Sequence, residues 1–184
     1  MNDIFYFFEH INSHTRFFFL IGGLSLFWLL EFSIPFSKRP YSWLNHAKVN
    51  ITFTLITLVL NLFGAFGILK AVDFVSANKF GLLNMIEIPL WMYVLFGLVL
   101  MDFIGAWLIH WIQHNVKWMW KFHIIHHSDQ IVDVTSGLRH HPGENIFRLS
   151  FTILAVLITG ANFGLVMIYQ TVSAFFCTFL TCKY

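Results

Sequence analysis

The sequence predicts an all-α protein, a multi-pass transmembrane helical bundle with a histidine-rich helical region on its cytoplasmic face. Three observations predict it. Only 11% of the 184 residues are charged and 58% are hydrophobic, against about 25% and about 45–50% in soluble domains. Apolar runs recur that are long enough to cross a hydrocarbon layer of about 30 Å. Seven of the ten histidines fall between 110 and 141, and several of them recur at helical spacing.

The first span runs over 17–36 and contains Glu31, whose burial needs a partner or an interfacial position. The second, 49–72, carries Asn50 and Asn61, which can bond between helices. The third starts at Pro89, a residue suited to a first helical turn, and ends near His114. The apolar stretch 146–180 is too long for one span and is interrupted at Gly160, Ala161 and Asn162. It therefore reads as a re-entrant hairpin or two short helices. Lys38, Arg39 and Lys48 lie between the first two spans, and Lys117, Lys121, Arg139 and Arg148 follow the third. The positive-inside rule puts both basic segments in the cytoplasm. The chain divides into an N-terminal transmembrane region, 1–100, and a histidine-bearing domain, 101–184.

A net charge of +2 is too small to point to nucleic acid. Cys177 and Cys182 form neither a disulfide framework nor a metal or redox motif. The first apolar run lacks a basic leader and is too long for a signal peptide, so the chain reads as inserted in the membrane.

Uniform scatter would put about two histidines where seven are found, and local histidine enrichment is a metal-binding cue. Spacing adds to the count. His110 and His114 stand at i and i+4; His123, His126 and His127 stand at i, i+3 and i+4, so each set shares a helical face. Imidazoles on two adjacent faces are what a metal centre needs, because each ring must aim a lone pair at a common point. A helix rises 1.5 Å per residue, so about twenty residues from Trp91 bring the chain to the cytoplasmic boundary near His110. Trp107, Trp111, Trp118 and Trp120 gather there and read as an interfacial belt. His10, His14 and His46 read as ordinary hydrogen-bonded interface residues. Haem ligation needs only one or two histidines, and transport sites lie nearer the bilayer midplane. Imidazole suits zinc, copper, iron and nickel. Five histidines without local cysteine exceed one structural zinc site, and a two-metal cluster is the economical reading.

Three motifs in order, HWIQH, then VKWMWKFHIIHHSD, then DVTSGLRHHPGE, resemble the fatty acid hydroxylase/sterol desaturase superfamily. That family orders an HxxxH box, an HxxHH box, an Arg-x-His-Pro segment followed by an acid, and a final HxxHH box. The resemblance implies metal ligands at His110, His114, His123, His126 and His127, with His141 a weaker candidate and His140 weaker still. It implies a membrane enzyme that uses two iron ions and O2 to hydroxylate or desaturate a lipid. Its electrons would come from an external electron-transfer partner protein. Iron is favoured because a lipid C–H bond demands an oxidant stronger than any side chain. No residue stands out as catalytic apart from the ligands. The family's last histidine box lies beyond another hydrophobic segment, and this chain reaches Tyr184 before any such box. The expectation is a fragment of impaired activity; the alternatives are a non-catalytic truncated membrane protein or a metal- or haem-binding one.

Metal-bound histidines usually donate their second ring nitrogen to a carboxylate or carbonyl. Asp102, two turns before His110, is one candidate for that role and an interhelical hydrogen bond is its alternative. Asp129 and Asp133 follow the second histidine group and could orient ligands or cap the next turn. Arg139 and Glu144 flank the His-Pro segment and read as an ion pair.

Overall fold

The computed structural model describes residues 2–33, 43–129 and 135–181, and no strand occurs among them. Helix α1 (Asn2–Glu9) leads into α2 (Ser13–Ser33), where the Asn12 side chain accepts from Thr15 N at 2.8 Å and starts the helix. Helix α2 covers most of the first expected span. Its last residues, Lys38 and Arg39 lie outside the described residues, as do the side chains of Glu31, His46 and Cys177, and all of Asp133 and Cys182.

Helix α3 (Trp43–Asn78) has 36 residues and is about 54 Å long at 1.5 Å per residue, well over a bilayer's hydrocarbon thickness. Its outward side chains Leu55, Leu58, Leu62, Phe63 and Phe66 are exposed, an apolar band of the kind that contacts lipid. After a 3₁₀ turn (Leu82–Asn84), Pro89 caps α4 (Leu90–Asp102). A π-helical turn (Phe103–Leu108) joins α4 to α5 (Ile109–Asn115) in one rod. Ala47–Asn84 and Leu90–Asn115 are both long and apolar enough to cross a membrane. Val116, in an extended conformation (φ −97°, ψ 107°), breaks the rod and starts α6 (Lys117–His127). The last two helices are α7 (Pro142–Thr159) and α8 (Phe163–Thr181). The interruption expected at 160–162 is thus a turn between two helices.

One core joins four of these elements. Ile68, Ala71, Val72 and Val75 of α3, Met101 and Ile104 of the rod, Ala155 and Val156 of α7 and Leu165 and Val166 of α8 are all buried against one another. Asn61 and Asn50 bond between elements as expected: Asn145 Nδ2 donates to Asn61 Oδ1, and Asn50 Nδ2 donates to Thr135 Oγ1, both at 2.8 Å.

Two glycines make the turn opposite the histidines. Gly160 (φ +80°) ends α7 in the left-handed region, and Gly81 has φ +104°. A Cβ on Gly81 would lie 2.3 Å from the Gly160 backbone. Only two glycines can meet this way.

Candidate metal centre

The rod and α6 bring four imidazoles to one focus. Within α5, His110 Nε2 and His114 Nε2 are 2.9 Å apart. Within α6, His123 Nε2 and His127 Nε2 are 3.1 Å apart. One ring nitrogen from each of the four lies within 4.8 Å of all the others. The two pairs meet edge to face, His110 on His123 at 4.6 Å and 81°, and His114 on His127 at 4.9 Å and 71°. The break at Val116 lets α6 fold back on α5 so that the pairs oppose.

The donor set fits a transition-metal ion. Two imidazole nitrogens bound at right angles at about 2.1 Å stand about 3.0 Å apart, which is the spacing within each pair. Imidazole-only sites suit iron, zinc or copper.

A carboxylate holds one of the rings in place. Glu144 is fully buried in the first turn of α7, and His123 Nδ1 donates to its Oε1 at 3.1 Å. That bond leaves His123 Nε2 as the unprotonated ring nitrogen, turned towards the focus and His127 Nε2, the usual arrangement behind a metal-bound histidine. The same oxygen accepts from His140 Nδ1 at 3.1 Å, with Arg148 at 3.7 Å. Burial pushes the Glu144 carboxyl up, but the hydrogen bonds from His123 and His140, helped by Arg148, hold it below the ordinary carboxylate range. Its charge also stands at a helix N-terminus, where it is stabilised.

Burial lowers His126 from 6.5 to about 4, with the neighbouring His140 adding to the shift. Burial also lowers His127, followed by the fields of His123 and His114. Both rings are therefore neutral near pH 7, the form that ligates metal.

Two of the six expected ligands are placed elsewhere. His126 stacks on His140 at 4.6 Å and 13°, and its Nδ1 is buried without a partner among the described residues. His141 caps α7, its Nδ1 accepting from Gly143 N at 3.0 Å. At 100° per residue, His127 lies about 40° to one side of His123 and His126 about 60° to the other, so α5, packed on the first side, meets only His127. Away from the site, His10 bonds to Tyr6 O and His14 is exposed.

Several supporting residues take other roles than the sequence suggested. Asp102 bonds to no histidine among the described residues and faces an open groove with Trp107. Arg139 pairs with Asp129 at 3.8 Å and not with Glu144; Asp129 also accepts from Ser136 at 2.6 Å, bracing the loop. The reason is helical geometry: Glu144 lies on the inward face of α7, closed off by His123 and His140. Trp120 is half-buried against the site, 5.0 Å from the His114 ring and 5.7 Å from His127, whereas Trp111 and Trp118 are exposed as a belt requires. The sequence reading missed Gln113, fully buried between the first two ligands with both amide atoms unpaired among the described residues. A glutamine inside an otherwise apolar helix face was the available signal.

Long apolar helices ending in a focus of imidazoles, backed by a buried carboxylate, define a helical protein with a histidine centre of the kind found in membrane metalloenzymes. Residues 94–183 match the fatty acid hydroxylase family, and that match supports placing this region in the fatty acid hydroxylase/sterol desaturase superfamily. That family comprises lipid hydroxylases and desaturases, oxidoreductases that work in membranes and are generally iron-dependent. No curated protein and no solved structure matches the chain.

Proposed function

We propose that this chain is the metal-binding part of a membrane-bound iron oxygenase that hydroxylates or desaturates a lipid, a fatty acid or a sterol-like molecule, with O2. The observation that carries the reading is the convergence of His110, His114, His123 and His127 on one point. These four hold an iron ion through neutral ring nitrogens. Iron bound there would activate O2, with electrons from the external electron-transfer partner, and would supply an oxidant strong enough for an unactivated C–H bond. Glu144 keeps the His123 Nδ1 proton and so fixes which nitrogen faces the metal. Trp120 covers the His114 and His127 side of the focus and limits water there. His110 and His114 stand at the end of a membrane-spanning rod, so a lipid reaches them from the bilayer and an electron-transfer partner protein reaches them from the cytoplasmic side. The protein is then a multi-pass membrane protein in which 1–100 anchors and 101–184 carries the site.

The family's second iron needs further donors, and His126 and His140 are the nearest candidates, His141 being committed to the cap of α7. Their placement outside the focus favours a second reading, a one-metal centre without turnover.

Metal analysis of protein purified in lipid nanodiscs tests both. Two irons per chain support the oxygenase reading; one ion supports the second. His114→Ala and His127→Ala are expected to lower metal content by more than tenfold, and His10→Ala to leave it unchanged. Metal content unaffected by His114→Ala would sink the assignment. Lipid profiling of cells with and without the protein then tests for an oxidised lipid product.

A further inference from the structure

Glu144 is held on one side only. His123 Nδ1, His140 Nδ1 and Arg148 all address its Oε1, at 3.1, 3.1 and 3.7 Å. Its Oε2 is buried with no donor among the described residues. A buried carboxylate oxygen without a donor is costly, and this one belongs to the group that orients a metal-ligating ring.

Helix register brings an amide to that oxygen. Gly105, Ile109 and Gln113 recur every fourth residue along the rod, and all three are buried. A Cβ on Gly105 would meet Ala155 Cβ at 3.6 Å and Thr152 Cα at 3.7 Å, so this stripe lies against α7. The two helices run antiparallel, because Tyr93, earlier in the rod, donates to Gly160 O at the far end of α7. Gln113 lies eight residues past Gly105. With the same rise of about 1.5 Å per residue in both helices, it comes level with 144–147, eight residues back from Thr152 and Ala155. Of those four residues only Glu144 is buried. The level therefore holds two fully buried polar side chains, Gln113 and Glu144. Both amide atoms of the first and Oε2 of the second lack partners among the described residues. An apolar residue would fill the Gln113 position at less cost if packing were its only task.

We propose that Gln113 is a positioning residue for the metal centre, its Nε2 supporting Glu144 Oε2 through one buried water molecule. The gap is wider than a direct hydrogen bond, and a water that accepts from the amide and donates to the carboxylate spans it. The chain of bonds then runs from Gln113 through Glu144 to His123 Nδ1 and holds His123 Nε2 on the focus. Gln113 sits on the helix that carries His110 and His114, so the same link ties the first histidine pair to the second. This rests on the reading of the four rings as a metal centre.

The test uses the full chain in phosphatidylcholine nanodiscs, with Co²⁺ titrated as the metal probe and infrared spectra of the metal-free protein. Gln113→Met keeps the length of the side chain and removes its amide, whereas Gln113→Asn keeps the amide on a shorter stem. Gln113→Met is expected to lower Co²⁺ affinity about tenfold, with helix content unchanged by circular dichroism. It is also expected to shift the Glu144 carboxylate stretch, the band that Glu144→Gln removes. Gln113→Asn, still within reach of a water, should recover most of the affinity. Because Gln113 acts through Glu144, adding Gln113→Met to Glu144→Gln is expected to change affinity by no more than about twofold. Losses that multiply in the double variant overturn the proposal, as does Gln113→Asn doing as much damage as Gln113→Met. An experimental wild-type structure that pairs Gln113 with another group, or shows no water between it and Glu144, overturns it without any variant. The infrared arm needs no metal, so the two readings fail separately. A shifted carboxylate band in protein that binds no Co²⁺ sinks the metal-centre reading alone, and an unmoved band in protein that binds it sinks this one.

Discussion

The two ends of the rod use the same kinds of polar side chain in opposite ways. At the Pro89 end, Tyr93 donates to Gly160 O and accepts from Asn162 N, both at 3.0 Å. Asn84 donates to Phe80 O at 2.8 Å and to Gly160 O at 3.1 Å, and Asn162 caps α8 through Leu165 N at 3.0 Å. These side chains are spent on closing a turn, where Thr159 Oγ1 is the one buried side-chain atom left without a partner among the described residues. At the histidine end, Glu144 Oε2, His126 Nδ1 and both amide atoms of Gln113 are buried without partners among the described residues. Each such atom costs about 1–3 kcal/mol. Evolved folds accept that cost where a ligand or ion will be bound. The contrast separates a structural end from a chemical one, and it can be broken at either.

The largest expected effect lies at the structural end. Gly81→Ala puts a methyl group 2.3 Å from the Gly160 backbone at a residue with φ +104°, and neither backbone can move without opening the turn. A loss of about 3 kcal/mol or more is expected, read as a large fall in the thermal midpoint in detergent. A midpoint within a degree or two of wild type would show that this end is not the brace described here.

Next comes Glu144→Gln at the chemical end. It keeps the size of the side chain but removes the charge and weakens the hold on His123. Metal affinity is expected to fall about 10–100-fold, with the helix content unchanged by circular dichroism. An unaltered metal titration would leave Glu144 as a purely structural group.

Acid sharpens the same contrast in the metal-free protein. His126 is held at about 4, and His127 is also lowered from 6.5. Below pH 6.5 the unfolded chain takes up protons that the folded chain refuses, so stability falls as pH falls from 6.5 towards about 4. Glu144, held low, works in the same direction: it contributes stability above its ordinary value of 4.5 and loses it on further acidification. The thermal midpoint should drop across this window, and less steeply in His126→Gln. A midpoint that stays flat from pH 7 to pH 5 would contradict the burial of these rings.

How much of this was legible beforehand depends on whether a contact is local. The i, i+4 pairs His110/His114 and His123/His127 follow from helix geometry alone, and so do the apolar spans and the break at 160–162. Which of His126 and His127 joins the focus depends on the side from which α5 approaches, and no local spacing encodes that. The His123–Glu144 bond spans 21 positions and needs α7 packed on α6. The paired reading of Arg139 and Glu144 failed for the same reason, because nearness in sequence was taken for nearness in space.

His141 is where the family resemblance and the geometry diverge most sharply. The resemblance makes it a possible ligand, while in the fold its Nδ1 is committed to Gly143 N at the first turn of α7 and its ring packs on Phe122 at 5.1 Å. A side chain that caps a helix contributes about 1 kcal/mol. His141→Ala is therefore expected to lower stability by about that amount and to leave metal content untouched, whereas His141→Asn, which can also cap, should recover most of the loss. If metal content falls in both variants while the thermal midpoint holds, His141 is a ligand after all. The start of α7 would then have to reorganise towards the focus, and the chemical end would extend further than the four converging rings.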